Sequence, residues 1–167
     1  ITGIFNYRGL EDPVSLPLIE KMCDIITHRG PDDWGNYVSR DGMIGMGMRR
    51  LSIIDIQGGK QPIFNEDRSI KLVFNGEIYN YKELRNILIK SGHRFRSESD
   101  SEVIVHGYEE WGLQLLKRLR GMFAFSIWDS GSKTLTMARD HTGIKPLYYW
   151  ENGKILVWGS EIKSILM

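Results

Sequence analysis

The sequence predicts an α+β protein built mainly from antiparallel strands. Of its 167 residues, 41% are hydrophobic and 26% are charged, a composition typical of a globular protein with one core. Strand-like and helix-like segments come in blocks rather than in strict alternation, which favours antiparallel sheets over repeated βαβ units. Turn signals between apolar segments indicate hairpins at Asp41-Gly42, 129–132 and 151–153. We therefore expect a single α+β domain over residues 1–167.

The strands are predicted from short apolar or alternating segments bounded by turn residues. The strand that ends at residue 74 is followed directly by Asn75-Gly76, a pair that we expect to form a tight turn with exposed backbone N–H groups. The predicted strands are residues 1–7, 34–39, 43–48, 70–74, 122–128, 134–138, 147–150 and 154–158.

The helices are predicted from apolar residues three or four positions apart and from their capping residues. Pro17 suits the first turn of a helix whose buried stripe includes Cys23, and we expect Cys23 to be a core residue rather than a nucleophile. Gly92 suits the end of a helix over 81–91. The segment 99–102 has capping-box spacing, which would place Asp100 in the first turn of the next helix. We also expect helical structure over 113–119 and after Ser160-Glu161.

Composition also argues against several functional classes. The net charge of +1 gives no electrostatic basis for binding nucleic acid or a membrane surface. No apolar run approaches the roughly 18 residues of a spanning helix, and no signal peptide precedes the first strand. The single cysteine excludes an internal disulfide, and the four histidines are too scattered for zinc-ligand spacing. We therefore expect a cytoplasmic protein without a metal site.

Five residues at the ends of strands or helices could together bind a free amino acid. The guanidinium of Arg50 matches an α-carboxylate, and the carboxylates of Glu77 and Asp100 match an α-ammonium group. The side chain of Asn75 and the N–H of Gly76 could hold an oxyanion at the far end of the ligand. Each residue also has an ordinary structural explanation, as an edge charge, a turn or a first-turn carboxylate. No recognisable nucleophile motif accompanies them, so the residues alone leave the chemistry open.

Several longer motifs occur in one order along nearly the whole chain. They lie at 28–33, 50–55, 61–62, 74–80, 97–100, 118–125, 138–140 and 143–149. Together they closely resemble the class II glutamine amidotransferase domain of glutamine-hydrolysing asparagine synthetases. The forms Arg29-Gly30-Pro31-Asp32 and Asn75-Gly76-Glu77-Ile78-Tyr79-Asn80 resemble this branch more than the amidophosphoribosyltransferase or glucosamine-6-phosphate synthase branches.

The resemblance implies a fold, a reaction and a role for each of the five residues. The fold would be that of N-terminal-nucleophile hydrolases, a four-layer α/β/β/α sandwich of two antiparallel sheets. The reaction would be hydrolysis of glutamine to glutamate and ammonia. By position, Arg50 would bind the α-carboxylate, Glu77 and Asp100 the α-ammonium, and Asn75 with Gly76 would form the oxyanion hole.

The resemblance also implies a nucleophile that precedes Ile1. Members of this family begin with a cysteine whose thiol attacks the amide and whose α-amine serves as the base. Family openings of the form Cys-Gly-Ile-x-Gly-Ile-Phe place the cysteine two residues before Ile1. A second register would put Thr2 in that place, but Thr2 follows Ile1 and so has no free amine. We expect a polypeptide that starts at Ile1 to be inactive or nearly so.

The partners implied by the resemblance are glutamine and an acceptor for ammonia. The acceptor would be a synthetase domain, which the 167 residues do not include, or a separate protein; a homodimer is also compatible. No cofactor is expected in this domain, since ATP and magnesium would bind only to the synthetase domain. Two alternatives stay open: an amidotransferase serving another acceptor, such as a sugar acid in polysaccharide synthesis, or a catalytically inactive module that binds glutamine or a partner.

Overall fold

The computed structural model describes residues 1–8, 13–51 and 60–167, which fall into two compact units. The first unit comprises Ile1–Ser52 and Pro146–Met167, and the second comprises Ile53–Lys145. Each unit contains one antiparallel sheet and two α-helices, so the predicted α+β class with two antiparallel sheets is confirmed. Within the described ranges no helix is both long and apolar enough to cross a bilayer. The motif positions 52–55 lie outside the described residues.

The strands and helices have the following bounds. The strands are β1 (Thr2–Asn6), β2 (Asp33–Val38), β3 (Ile44–Arg50), β4 (Ile63–Phe64), β5 (Ile70–Ile78), β6 (Gly121–Asp129), β7 (Thr134–Arg139), β8 (Tyr148–Glu151) and β9 (Ile155–Gly159). The α-helices are α1 (Leu16–Asp24), α2 (Tyr81–Lys90), α3 (Glu102–Trp111) and α4 (Ile162–Ile165), with 3₁₀ helices at Thr27–Arg29 and Gly112–Lys117.

In the first unit the five strands form a sheet in the order β2-β3-β1-β9-β8, with β1 at its centre. Helix α1 packs on β1, β2 and β3 and buries Ile19, Met22 and Cys23. Burying an apolar side chain of this size contributes about 1.5–3 kcal/mol. Burial raises the pKa of the Cys23 thiol to about 11, so this cysteine is a core residue and not an activated nucleophile.

In the second unit the sheet has the order β4-β5-β6-β7. Apolar side chains from β5 and β6, including Leu72 and Phe125, form one cluster with Leu88 of α2 and Ile104 of α3. The alternation of apolar residues along β5 and β6 thus fixes which face of the sheet the two helices cover. The helices in turn position the segment between them, which carries Asp100.

Two predictions about local structure are wrong, because strand pairing in one case and other hydrogen bonds in the second override the local signal. Asn75-Gly76 is not a turn, because pairing with β6 keeps β5 extended to Ile78. The capping box does not form: α3 begins at Glu102, whose carboxylate instead accepts hydrogen bonds from Arg96 N–H and Ser97 N–H. Asp100 therefore precedes the helix. The helical structure predicted over 113–119 is confirmed for residues 113–117, which belong to the 3₁₀ helix Gly112–Lys117.

Candidate active site

Within the described residues, the stretch of β5 that carries Asn75, Gly76 and Glu77 pairs with another strand on one side only. Its ladder with β6 runs along the whole strand, whereas β4 pairs only with Lys71 and Leu72. Pairing with β6 also explains why residue 76 is a glycine. A Cβ there would lie 2.1 Å from the carbonyl oxygen of Met122, and the Gly76 φ angle of +156° disfavours other residues.

On the edge of β5 that faces away from β6, the backbone N–H groups two residues before and two residues after Gly76 have hydrogen-bond partners. Phe74 exchanges two hydrogen bonds with the amide of Gln61, at 2.7 and 3.0 Å. Ile78 N–H donates to Asp100 Oδ2 at 2.7 Å. Since strand residues alternate in direction, the N–H of Gly76 faces the same side as those of Phe74 and Ile78. We find no acceptor for it within the described residues.

The side-chain nitrogen of Asn75 is a second donor without an acceptor. Asn75 Nδ2 is buried and has no hydrogen-bond partner among residues 1–8, 13–51 and 60–167. An unpaired buried donor costs about 1–3 kcal/mol and is uncommon in folded proteins. Two adjacent donors, the Asn75 amide and the Gly76 N–H, are therefore available to stabilise a negative oxygen.

Glu77 and Asp100 form an acidic pair in the same unit. Asp100 is buried, at 7% exposure. Burial raises the pKa of the Asp100 carboxyl; the hydrogen bond from Ile78 N–H opposes this shift, and the Glu77 carboxylate adds to it. Among the described residues, no lysine or arginine side chain forms an ion pair with either acid. The pair is thus suited to bind a cation such as an ammonium group.

Arg50 lies in the first unit, at the end of β3, where the motif at 28–33 holds its backbone. Asp32 N–H donates to Arg50 O at 3.2 Å, and Pro31 bridges to Arg50. A Cβ on Gly30 would lie 2.4 Å from Arg50 N, so this approach requires glycine. The neighbouring Arg49 is anchored elsewhere, by an ion pair with Asp24. This ion pair gives Arg49 a structural role, and the binding of a ligand carboxylate by Arg50 stays a prediction.

The start of β1 is held by the same motif through Glu161. Ile1 N donates to Ser160 Oγ at 2.9 Å, and Ser160 N–H donates to Ile1 O at 2.8 Å. The adjacent Glu161 binds Arg29 at 3.1 Å and His28 at 2.8 Å. Burial opposes ionisation of Glu161, but hydrogen bonds from His28, Arg29 and Lys163 outweigh it and lower its pKa to about 2. Sequence reasoning missed Glu161, because more than 130 positions separate it from its partners.

The register of β1 and β3 relates residues before Ile1 to Arg50. Thr2 pairs with Gly47, and Gly3 pairs with Met46. Continued by the same count, this antiparallel register sets a residue two positions before Ile1 opposite Arg50. That is the position at which the family resemblance expects the nucleophilic cysteine.

Arg139 and Asp140 have structural partners in the second unit. Arg139 donates to the carbonyl oxygens of Gly143, at 2.5 Å, and Lys145, at 2.8 Å. Asp140 is buried and accepts hydrogen bonds from the backbone N–H groups of Phe123, Ile144 and Lys145. Burial opposes its ionisation, but these bonds prevail and hold the pKa of Asp140 well below its usual range. Both residues therefore fix the loop after β7.

The structure brings together four of the five predicted site residues. Asn75, Gly76 and Glu77 lie on one stretch of β5, and Asp100 contacts that stretch through Ile78 N–H. Arg50 belongs to the other unit. Sequence reasoning also missed the role of Gln61, whose side-chain amide hydrogen-bonds to both the N–H and the carbonyl oxygen of Phe74. On the side of β5 away from β6, Gly76 is therefore the first residue whose N–H remains available.

Comparison with known proteins gives a consistent result. A family model described as a glutamine amidotransferase domain matches residues 1–167. Asparagine synthetase [glutamine-hydrolyzing] 2 of Bacillus subtilis is 47% identical over 166 residues, which are 99% of this chain and 22% of that protein. Amidase chry2 of Gibberella zeae is 41% identical over 149 residues, 89% of this chain and 22% of that protein. The chain thus spans about a fifth of the length of these relatives.

A solved structure shows the same fold at low sequence identity. Glutamine phosphoribosylpyrophosphate amidotransferase from B. subtilis, in complex with ADP and GMP, superposes with a TM-score of 0.79 at 20% identity. The match covers 98% of this chain and 42% of that one. The predicted fold class is therefore confirmed, and the match of the family model over the whole chain settles the assignment: this chain belongs to the glutamine amidotransferase domain family.

Proposed function

We propose that this domain hydrolyses the side-chain amide of glutamine to glutamate and ammonia. The observation that carries the proposal is the pair of donors on β5: Asn75 Nδ2, which is buried and has no partner within the described residues, and the neighbouring Gly76 N–H. Beside them lie the carboxylates of Glu77 and Asp100, with which no lysine or arginine of the described residues forms an ion pair. In this proposal Asn75 and Gly76 stabilise the oxyanion, Glu77 and Asp100 bind the α-ammonium, and Arg50 binds the α-carboxylate.

The reaction requires a nucleophile, which we place two residues before Ile1. The cysteine thiol transfers its proton to its own α-amine, and its sulfur attacks the amide carbon to give a tetrahedral oxyanion. Collapse of this intermediate breaks the C–N bond; the amine returns the proton to the departing nitrogen, and ammonia leaves. Water then hydrolyses the thioester to glutamate and restores the thiol. The register of β1 and β3 supports this position, since it sets such a residue opposite Arg50.

We further propose that the ammonia passes to an acceptor bound by another domain or protein. Relatives named glutamine-hydrolysing asparagine synthetases favour aspartate as this acceptor, with ATP and magnesium bound there and not by this domain. We also propose a cytoplasmic location, since the single buried cysteine forms no disulfide and fits a reducing compartment. A homodimer is compatible with this proposal.

The test compares polypeptides in which Met-Cys-Gly or Met-Ala-Gly precedes Ile1. We expect glutamate and ammonia to form in equal amounts with the cysteine and not with the alanine. In the cysteine form, Asn75→Ala should lower kcat by about 100- to 1,000-fold with a much smaller change in KM, as for other oxyanion donors. Glutamine turnover by the alanine form, or an unchanged kcat for Asn75→Ala, would refute the proposal.

A further inference from the structure

The second unit contains a group of two imidazoles and two carboxylates that glutamine hydrolysis does not use. We call Glu66, His93, His106 and Glu109 the His–Glu cluster; each offers one potential ligand atom, and these atoms all lie within 4.8 Å of one another. His106 Nδ1 is 3.3 Å from Glu66 Oε2. His93 Nδ1 is 3.7 Å from Glu66 Oε1 and 3.8 Å from Glu109 Oε2. The same ring nitrogen of both histidines therefore points at one small volume.

Two of these atoms are close without being hydrogen-bonded. His106 is 1% exposed, and neither its Nδ1 nor Glu66 Oε2 has a hydrogen-bond partner within the described residues. Ligand atoms around one tetrahedral zinc ion, each at about 2.0–2.2 Å, lie roughly 3.3–3.6 Å apart. The separation of 3.3 Å between His106 Nδ1 and Glu66 Oε2 matches that spacing, and the 4.8 Å limit on the whole set requires only small shifts of the other two side chains. Such a geometry is expected of atoms that share a metal rather than a proton.

A further carboxylate orients each histidine from the opposite side of its ring. His106 Nε2 lies 3.4 Å from Glu102 Oε1, and His93 Nε2 lies 3.2 Å from Glu110 Oε2. Metal-binding histidines usually donate their second ring N–H in this way, which leaves the first nitrogen deprotonated and directed at the metal.

The charges in this region also favour a cation. The two imidazoles face four carboxylates, those of Glu66 and Glu109 within the cluster and those of Glu102 and Glu110 behind it. Arg94 N–H donates to Glu66 Oε1 at 2.8 Å, so one oxygen of Glu66 is held and the other remains directed at His106. Concentrated negative charge that is partly buried needs a positive partner to be stable.

We propose that the His–Glu cluster binds one divalent transition-metal ion, for which zinc is the probe. Two nitrogen and two oxygen ligands suit this class of metal, and with all four positions supplied by protein the site would be structural rather than catalytic. It would join the β4–β5 connection, the segment after α2, and helix α3. The prediction of no metal site rested on the spacing of histidines in the sequence, which does not reveal ligands brought together by folding.

The test is a calorimetric titration of the metal-stripped chain with Zn²⁺. We expect one ion per chain and a higher melting temperature. His93→Gln and Glu109→Gln should each weaken binding more than about tenfold, a loss that even the outer partners of metal ligands can cause. Both side chains are partly exposed, so the variants should fold, which circular dichroism checks. His141→Gln and Glu83→Gln, at exposed positions outside the cluster, are matched controls that should bind as the parent does.

Substitution of Co²⁺ tests the ligand set independently of affinity. Four-coordinate cobalt absorbs visible light far more strongly than the hydrated ion, and we expect the strong spectrum in the parent and its loss in His93→Gln. Absence of zinc binding, binding that His93→Gln and Glu109→Gln leave unchanged, or a weak six-coordinate cobalt spectrum would each overturn the proposal. In the first two cases the cluster is only an ionic network of histidine and glutamate side chains. None of these measurements depends on glutaminase activity.

Discussion

At the scale of single residues, the burial of the Asp100 carboxylate costs stability but suits its proposed role in binding an ammonium group. Its pKa is raised by burial and by Glu77, so the folded protein favours the protonated carboxyl more than the unfolded chain does. The ionised carboxylate therefore costs stability above the raised pKa, and this cost declines as the pH falls further and is gone below the pKa of the unfolded chain. Binding an ammonium group would reverse the preference, because the cation stabilises the charged form. The environment of Asp100 therefore fits the proposed binding of an ammonium group better than a role in the stability of the free protein.

The substitution Asp100→Asn separates the effect of Asp100 on ligand binding from its effect on stability. We expect it to weaken glutamine binding by about 10- to 100-fold, since a hydrogen bond to a charged group contributes about 1.5–3 kcal/mol. The melting temperature at pH 7 should stay the same or rise. Calorimetry on the form with Met-Ala-Gly before Ile1 measures binding without turnover. In the parent, affinity should fall as the pH drops through the raised pKa of Asp100, and this dependence should be absent in Asp100→Asn.

A purely structural role for Asp100 predicts the opposite pattern. If its main task were to accept the Ile78 N–H, Asp100→Asn would lower the melting temperature and leave glutamine affinity and its pH dependence unchanged. Glu98→Gln, on an exposed side chain in the same segment, removes one charge without touching β5 and serves as the control.

At the scale of secondary structure, the hairpins could be predicted from the sequence, whereas the extended backbone at Asn75-Gly76 and the backbone hydrogen bonds of Glu102 could not. The β6–β7 and β8–β9 hairpins formed where the turn residues indicated them, because those turns depend on a few adjacent residues. Asn75-Gly76 carries an equally strong turn signal, yet its pairing with β6 keeps it extended. The partner strand lies more than forty residues away, so no local pattern contains this information. Glu102 is a different case, because its backbone partners at Arg96 and Ser97 are only six and five residues away, yet the carboxylate binds them instead of capping α3.

The loop after β7 depends on one buried carboxylate. Asp140 gathers the backbone N–H groups of Phe123, Thr142, Ile144 and Lys145 at 2.9–3.2 Å, together with the Thr142 hydroxyl at 3.0 Å. An asparagine at this position would replace one of the accepting oxygens by an NH₂ group, whose own N–H donors would face some of these backbone N–H groups. The loop is therefore specified by the negative charge of Asp140 as well as by its shape.

Asp140→Asn should destabilise the protein by about 2–4 kcal/mol, the cost of disrupting several hydrogen bonds to a buried charge. Because the pKa of Asp140 is depressed, its contribution is fully present above the usual carboxyl range and declines as pH falls towards the depressed value. The difference between parent and variant in urea unfolding should therefore shrink as the solution is acidified. Asp129→Asn, in an exposed hairpin, should cost less than about 1 kcal/mol. Equal costs for the two substitutions would contradict this account.

At the scale of the whole molecule, the resemblance predicted more than the physical pattern alone. Residue chemistry selected Arg50, Asn75, Glu77 and Asp100 as one set, but only the ordered motifs connected them with glutamine. In the structure the motif at 28–33 holds both the start of β1, through Glu161, and the end of β3 at Arg50. The His–Glu cluster could not be predicted at all, because its members lie at 66, 93, 106 and 109 and meet only in the fold.

At the same scale, the length of the relatives and the motifs within the 167 residues indicate whether this domain uses ATP. The relatives named asparagine synthetases are about four times as long as the 167 residues, and these residues contain no glycine-rich phosphate loop. We therefore expect the form with Met-Cys-Gly before Ile1 to release glutamate and ammonia in a 1:1 ratio at a rate that ATP, magnesium and aspartate do not change. Isothermal titration should detect no binding of ATP. If ATP bound, or if aspartate became amidated, the acceptor chemistry would reside in this domain, and the division between ammonia release here and ammonia use elsewhere would be wrong.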